Sequence, residues 1–218
     1  MFEFFEKLDE TQSLEVMNDL LRSNRANGQL CAEIGVKFAD KIDTKKTIAC
    51  LEQSAANEAI LFFLCNVLPH TDDPDIYFKY IESCSRLGNF KEVERVIKET
   101  QNYDPLKVRD FLMDGKFQDP RPLIYLCDKH QYTEDLTKYL YTTNQVKCIE
   151  IYLFRINSNA APKVLGSLLD LDCEESYIKQ LLLSIRQTAI EELVEEFETR
   201  GKMRMLDQWL EQRADERV

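Results

Sequence analysis

Asp73-Pro74-Asp75-Ile76-Tyr77-Phe78-Lys79-Tyr80-Ile81-Glu82-Ser83-Cys84-Ser85-Arg86-Leu87-Gly88-Asn89-Phe90-Lys91-Glu92-Val93-Glu94-Arg95-Val96-Ile97 reads as two short helices in succession. The Asp73 carboxylate can accept from the free amides of a first turn, and Pro74 suits the first helical position, where no amide is needed. Tyr77, Tyr80, Ile81 and Cys84 then fall at i, i+3, i+4 and i+7, one face of a helix. Asn89 opens a second helix that carries Val93 to Ile97.

The same punctuation recurs on both sides of this stretch. Ser13 is read as the start of a helix over Leu14 to Leu21, and Asp43-Thr44 as the start of one over Ile48 to Leu51. Asp104-Pro105, Asp119-Pro120, Thr133 with Glu134, and Asn144 supply four further starts. Ile178, Leu181, Leu182 and Ile185 keep the helical spacing, as do Ile190, Leu193, Val194 and Phe197. No window alternates in the manner of a strand. The pattern predicts about fourteen short helices, starting roughly every fifteen residues. Short connections force neighbours antiparallel, giving hairpins with a period of about 30 residues. Such a hairpin cannot cover its own apolar faces and must stack on the next, so the expected fold is an all-α superhelix, an α-solenoid running through residues 1–218. With helix axes ~8–10 Å apart, seven hairpins would extend on the order of 70 Å. A closed bundle of the same helices is the alternative, and the absence of a long crossover segment disfavours it. Phe2, Phe4 and Phe5 near one end, and Met203, Met205, Leu206, Trp209 and Leu210 near the other, are apolar where terminal repeats tend to be polar. The expectation is a piece of a longer array.

Composition narrows the function. Glycine and proline number six each, too few for the turns of an all-β sandwich. The 39 acidic against 28 basic side chains leave a net charge of −11, with no basic stripe, which disfavours nucleic acid and anionic lipid. The seven cysteines, 31, 50, 65, 84, 127, 148 and 173, are odd in number, and four of them sit in helical, mostly apolar settings. Reduced, buried thiols of a cytoplasmic protein are expected rather than a disulfide framework. The N-terminus has no secretory cleavage pattern, and the longest apolar run, Ala59 to Leu68, is too short for membrane insertion.

Residues suited to chemistry are sparse. His70 follows Pro69 with no nucleophile elbow nearby and reads as a loop residue. Cys127 and His130 form a Cys-x-x-His without the second pair that a structural zinc needs. Asp170-Leu171-Asp172-Cys173-Glu174-Glu175 lacks the glycine and the distal glutamate of a calcium loop, and suits the positive end of a helix instead. No glycine-rich phosphate cradle is present, and the aromatic residues fall at core positions. The sequence therefore predicts no catalytic residue, no metal ligand and no cofactor.

One family carries these residues as a string. Asp73 to Ile81, Lys91 to Val96, Tyr103-Asp104-Pro105, Val108 and Phe111-Leu112 resemble the clathrin heavy chain. So do Pro122-Leu123-Ile124, Cys127-Asp128, Asp135-Leu136, Tyr139-Leu140-Tyr141, Asn144, Lys147 and Ile149 to Tyr152. Pro162, Val164, Gly166, Leu168-Leu169-Asp170, Asp172-Cys173 and Ile178-Lys179 continue the match, which spans nearly the whole chain. The stretch before Asp73 is looser, with Ala59 where the family has glycine and Asn57 in place of an aromatic residue.

The resemblance implies a structural leg segment, distal leg and ankle, of the coat on coated pits and vesicles. It implies one full heavy-chain repeat over 35–173, between the end of another (1–34) and the start of a third (174–218). The implied partners are other heavy-chain legs and, at a groove near Cys31 and Ala59, adaptor appendage domains. No light chain is expected on this segment. A helical-repeat subunit of a vacuolar-sorting tethering complex is the rival reading. It would carry the repeats on a different sequence and predict a zinc-binding ring, whose cysteine spacing is missing.

Overall fold

The computed structural model describes residues 2–54, 57–185, 189–207 and 209–211. Its α-helices are α1 (Phe2–Phe5), α2 (Glu10–Ser23), α3 (Gly28–Lys37), α4 (Thr44–Gln53), α5 (Asn57–Val67), α6 (Pro74–Arg86) and α7 (Phe90–Glu99). They continue as α8 (Pro105–Asp114), α9 (Arg121–Lys129), α10 (Thr133–Thr142), α11 (Val146–Ile151), α12 (Ala161–Asp170), α13 (Glu175–Ser184) and α14 (Ile190–Thr199). There is no strand among the described residues. The chain forms two compact units, Met1–Pro122 and Leu123–Val218.

Two devices set the helix ends. The first is the aspartate cap, which satisfies amides that have no partner within the helix. Asp43 accepts from the Lys46 amide at 3.0 Å, Asp73 from Asp75 at 2.9 Å, Asp104 from Leu106 at 2.9 Å and Asp119 from Arg121 at 3.0 Å. All four were legible starts. Ser13 is not one. Helix α2 opens four residues earlier at Asp9, whose carboxylate accepts from the Gln12 amide at 2.8 Å while the Gln12 side chain accepts from the Asp9 amide at 3.1 Å. Ser13 lies one turn inside, fully buried, its hydroxyl without a partner among the described residues.

The second device is a tight turn around one left-handed residue. Gly88, Gln131, Asn144, Asp172 and Gly201 have φ of 71°, 61°, 59°, 51° and 65°. In each turn the next amide reaches back to close the preceding helix: Asn89 to Cys84 O at 2.8 Å, Tyr132 to Cys127 O at 2.8 Å and Gln145 to Leu140 O at 2.7 Å. Cys173 to Leu168 O at 3.1 Å and Lys202 to Phe197 O at 2.9 Å complete the set. This is the Schellman arrangement, and it reverses the chain within a few residues. Asn144 therefore ends α10 rather than opening α11, a correction to its reading as a start.

Packing follows an alternation. In the first unit consecutive helices touch (α3 with α4, α4 with α5, α5 with α6, α6 with α7), and next-but-one helices stack (α2 on α4, α3 on α5, α6 on α8). In the second unit α10 packs on α11 and stacks on α12, which stacks on α14. Each unit is thus an all-α stack of hairpins, the solenoid architecture. The sequence explains which faces meet. In α7, Val93, Val96 and Ile97 are buried, while Lys91, Glu94, Arg95 and Lys98 stay at the surface. Helix α12 has neighbours on two sides and buries nearly all its residues from Ala161 to Leu169. Where helices approach closest there is no room for a side chain: a Cβ on Gly35 would lie 2.6 Å from Thr47 Cγ2 and 2.9 Å from Phe63 Cε2.

A ladder of ion pairs crosses four stacked helix N-termini of the first unit, alternating in sign. Glu10 of α2 accepts from Lys46 Nζ of α4 at 2.7 Å. Lys45 of α4 reaches Asp73 at 2.8 Å and Asp75 of α6 at 3.6 Å. Asp75 in turn accepts from Lys107 of α8 at 2.9 Å, and that ammonium also lies 4.4 Å from the centre of the Phe78 ring. The hydrogen bonds from Lys46, Lys45 and Lys107 hold Glu10, Asp73 and Asp75 respectively below the usual carboxylate range.

Two outcomes follow. A Cβ at Gly88 would meet nothing within 4 Å, so Gly88→Ala adds only backbone strain. It should lower unfolding free energy by about 1 kcal/mol in denaturant titrations. The depressed carboxylates contribute stability that is present at neutral pH and lost as pH falls through their folded values. Melting temperature should therefore hold from pH 7 to pH 5 and drop below pH ~4. Followed by circular dichroism, that drop should be smaller in Lys45→Gln.

Candidate functional site

The groove expected near Cys31 and Ala59 forms where α3 and α5 stack. It holds about 440 Å³ and is lined by Arg25 and Ala26 of the turn before α3, Gly28 and Gln29 at the start of α3, Asn57, Glu58 and Ala59 at the start of α5, and Leu87 after α6. Ala59 is in the lining. Cys31 is not; it is fully buried, its thiol 3.6 Å from the Met17 carbonyl of α2. Burial pushes that thiol up to about 12 and Cys50 to about 11, so both stay protonated at neutral pH. The two sequence-singled residues thus divide: Ala59 forms wall, and Cys31 forms the packing behind it.

Five of the seven cysteines are buried. Cys148 is half-buried. Cys65 departs from the expected burial altogether: it is exposed on α5, its sulfur 3.5 Å from the Tyr80 hydroxyl. That hydroxyl donates to Glu92 at 2.8 Å, and Glu92 pairs with Arg95 at 2.5 Å, tying α6 to α7. The Arg95 hydrogen bond holds Glu92 below its ordinary value against the opposing effect of burial. The sequence pattern does not show this polar thread, because its links from Cys65 to Tyr80 and from Tyr80 to Glu92 span 15 and 12 residues.

His70 ends a 3-10 turn, Leu68–His70, and is exposed. Cys127 is buried in α9; His130 stacks on Tyr132 with ring centres 6.0 Å apart, and desolvation with the nearby Lys129 charge lowers its pKa. In the acidic run, Asp170 accepts from Arg200 at 2.7 Å, linking the ends of α12 and α14. Asp172 supplies a left-handed turn, and Cys173 is buried. No group of three or more metal-ligating side chains converges among the described residues.

Comparison with known proteins places this geometry. The family described as "Region in Clathrin and VPS" matches residues 36–176, from within α3 to the start of α13. The chain belongs to the clathrin heavy-chain repeat family. It is 43% identical to clathrin heavy chain 2 of Oryza sativa subsp. japonica over 218 residues, 99% of this chain and 13% of that protein. To the clathrin heavy chain of Dictyostelium discoideum it is 40% identical over 215 residues, 98% of this chain and 13% of the relative. Clathrin heavy chain 2 of Homo sapiens is 36% identical over 215 residues, with the same coverage. The clathrin repeats here span 13% of the length of these relatives. The matched stretch includes Ala59 and begins after Cys31.

Proposed function

We propose that this segment is a structural part of a clathrin heavy-chain leg, in the region of the distal leg and ankle. There it serves as scaffold of the polyhedral coat in endocytosis and intracellular vesicle transport, and it performs no catalysis. The observation that carries this reading is continuity. Identity to clathrin heavy chains runs along 215 to 218 residues, and within each unit hairpin stacks on hairpin, with side chains used for caps, turns and inter-helix pairs. A tethering-complex subunit would share the repeats; the relatives named above are clathrin heavy chains, which favours the coat. No described helix is long and apolar enough to cross a membrane, in keeping with a cytoplasmic protein lying peripherally on coated pits and vesicles. Its partners are other heavy-chain legs, through contacts that are individually weak and numerous.

The repeat boundaries near residues 35 and 173 belong to the same proposal. Removing one hairpin, residues 73–102, from the full heavy chain should shorten the leg and yield distorted lattices or none by electron microscopy. Cages indistinguishable from the parent's would sink the scaffold role.

The groove beside Ala59 is proposed as the contact for an adaptor appendage domain, with Cys31 acting from behind through packing. Gln29→Arg alters the exposed rim and leaves the core alone. It should weaken appendage binding at least about fivefold in calorimetry at an unchanged melting temperature. Undiminished affinity would remove the groove from the reading.

A further inference from the structure

Four of the six arginines in the first unit hold a carboxylate closely. Arg86 pairs with Glu82 at 2.6 Å, Arg95 with Glu92 and Glu99, Arg109 with Asp110 at 2.8 Å and Arg121 with Asp119 at 2.5 Å. The two exceptions are neighbours. The Arg25 guanidinium makes no ion pair or hydrogen bond among the described residues. Arg22 has only Asp19, at 3.9 Å with both side chains nearly four-fifths exposed, a separation that contributes little. Both unspent guanidinium groups line one cavity.

That cavity holds about 250 Å³ between α2 and α4, next to the groove described above. Leu21 is part of its lining, Arg22 and Asn18 come from α2, Arg25 from the turn after it, and Gln53 from the end of α4. No carboxylate is among the described residues that line it. The Cys50 thiol donates to Asn18 Oδ1 at 3.2 Å, which leaves the Asn18 amide nitrogen free to donate. The convergent groups are therefore donors: two planar forks, an asparagine NH2 and the amide of Gln53. In a chain of net charge −11, such a place is selective, because anions are repelled almost everywhere else.

We propose that this cavity is a binding site for a phosphate monoester carried on a partner polypeptide. Two guanidinium forks match the oxygens of a phosphate in a way that a single ammonium does not. A polypeptide is favoured over a lipid headgroup because the acidic surface resists approach to an anionic bilayer. It is favoured also because Arg25 lines the neighbouring groove. A segment laid across Arg25 would seat its phosphate on one side and an apolar residue against Ala59 and Leu87 on the other. Position beside the end of α2 gives both arginines a second, purely structural use, since cations suit a helix C-terminus. A test must separate the two uses.

The probe is a fluorescein-labelled peptide with one phosphoserine followed two residues later by leucine, alongside its unphosphorylated twin, titrated with the whole chain by fluorescence anisotropy. The phosphopeptide should bind at least tenfold tighter than its twin, and salt should weaken it. The double variant Arg22→Ala/Arg25→Ala should lose at least tenfold. Arg25→Lys keeps the charge at the helix end but not the fork; it should lose several-fold in affinity while melting as the parent does. Equal affinity for the two peptides, or affinity indifferent to both variants, overturns the site. If vesicles containing phosphoinositide bind through Arg25 and the phosphopeptide does not, the polypeptide ligand is wrong.

Discussion

A hairpin of two ten-residue helices has more apolar surface than it can cover by itself, and the structure is organised around that shortfall. Helices this short are unstable alone in water. Pairing through a three-residue turn covers one face of each. The other face is covered by stacking next-but-one, α2 on α4, α3 on α5, α6 on α8, α10 on α12 and α12 on α14. Each buried aliphatic side chain gained this way contributes roughly 1.5–3 kcal/mol. The close approach at Gly35 and the near-complete burial of α12 are consequences of the same demand. The buried polar side chains of the core are likewise ones that pack, thiols and hydroxyls such as Cys31 and Thr47.

What could be read from the sequence was what is local. Asp43, Asp73, Asp104 and Asp119 act within three residues of themselves, so their type and spacing suffice to mark helix starts. Asn144 shows the limit of such signals, because asparagine suits both a helix start and a left-handed turn, and only the backbone at φ 59° decides between them. Gln131 adopts the same conformation with no cue in its residue type; the turn geometry demanded by the packed helices on either side imposes it. Ser13 was misread for the opposite reason. Its hydroxyl suits a cap, yet the capping box formed by Asp9 and Gln12 starts the helix a turn sooner and carries Ser13 into the core.

The candidate sites were legible only in part. Ala59 and Cys31 are small residues on facing helices, and their spacing and family resemblance pointed to one region. Which of them reaches the groove depends on the rotation of α3 against α5, and no local pattern encodes that. The Arg22 and Arg25 cavity was invisible because its defining property is negative. It rests on carboxylates that hold the other arginines of the unit closely, whereas Arg22 has only the loose contact with Asp19 at 3.9 Å, and absence at a distance leaves no trace in a run of letters.

The ladder of Glu10, Lys46 with Lys45, Asp73 with Asp75, and Lys107 has one further consequence. Its sign alternates from each stacked helix to the next, so the stack has parity. Shifting the register by one hairpin would set lysine against lysine and aspartate against glutamate, whereas a shift of two would restore every attraction. Duplication or loss of hairpins in this part of the solenoid is thereby easier in pairs than singly, and mispairing with the neighbouring hairpin is penalised at each rung.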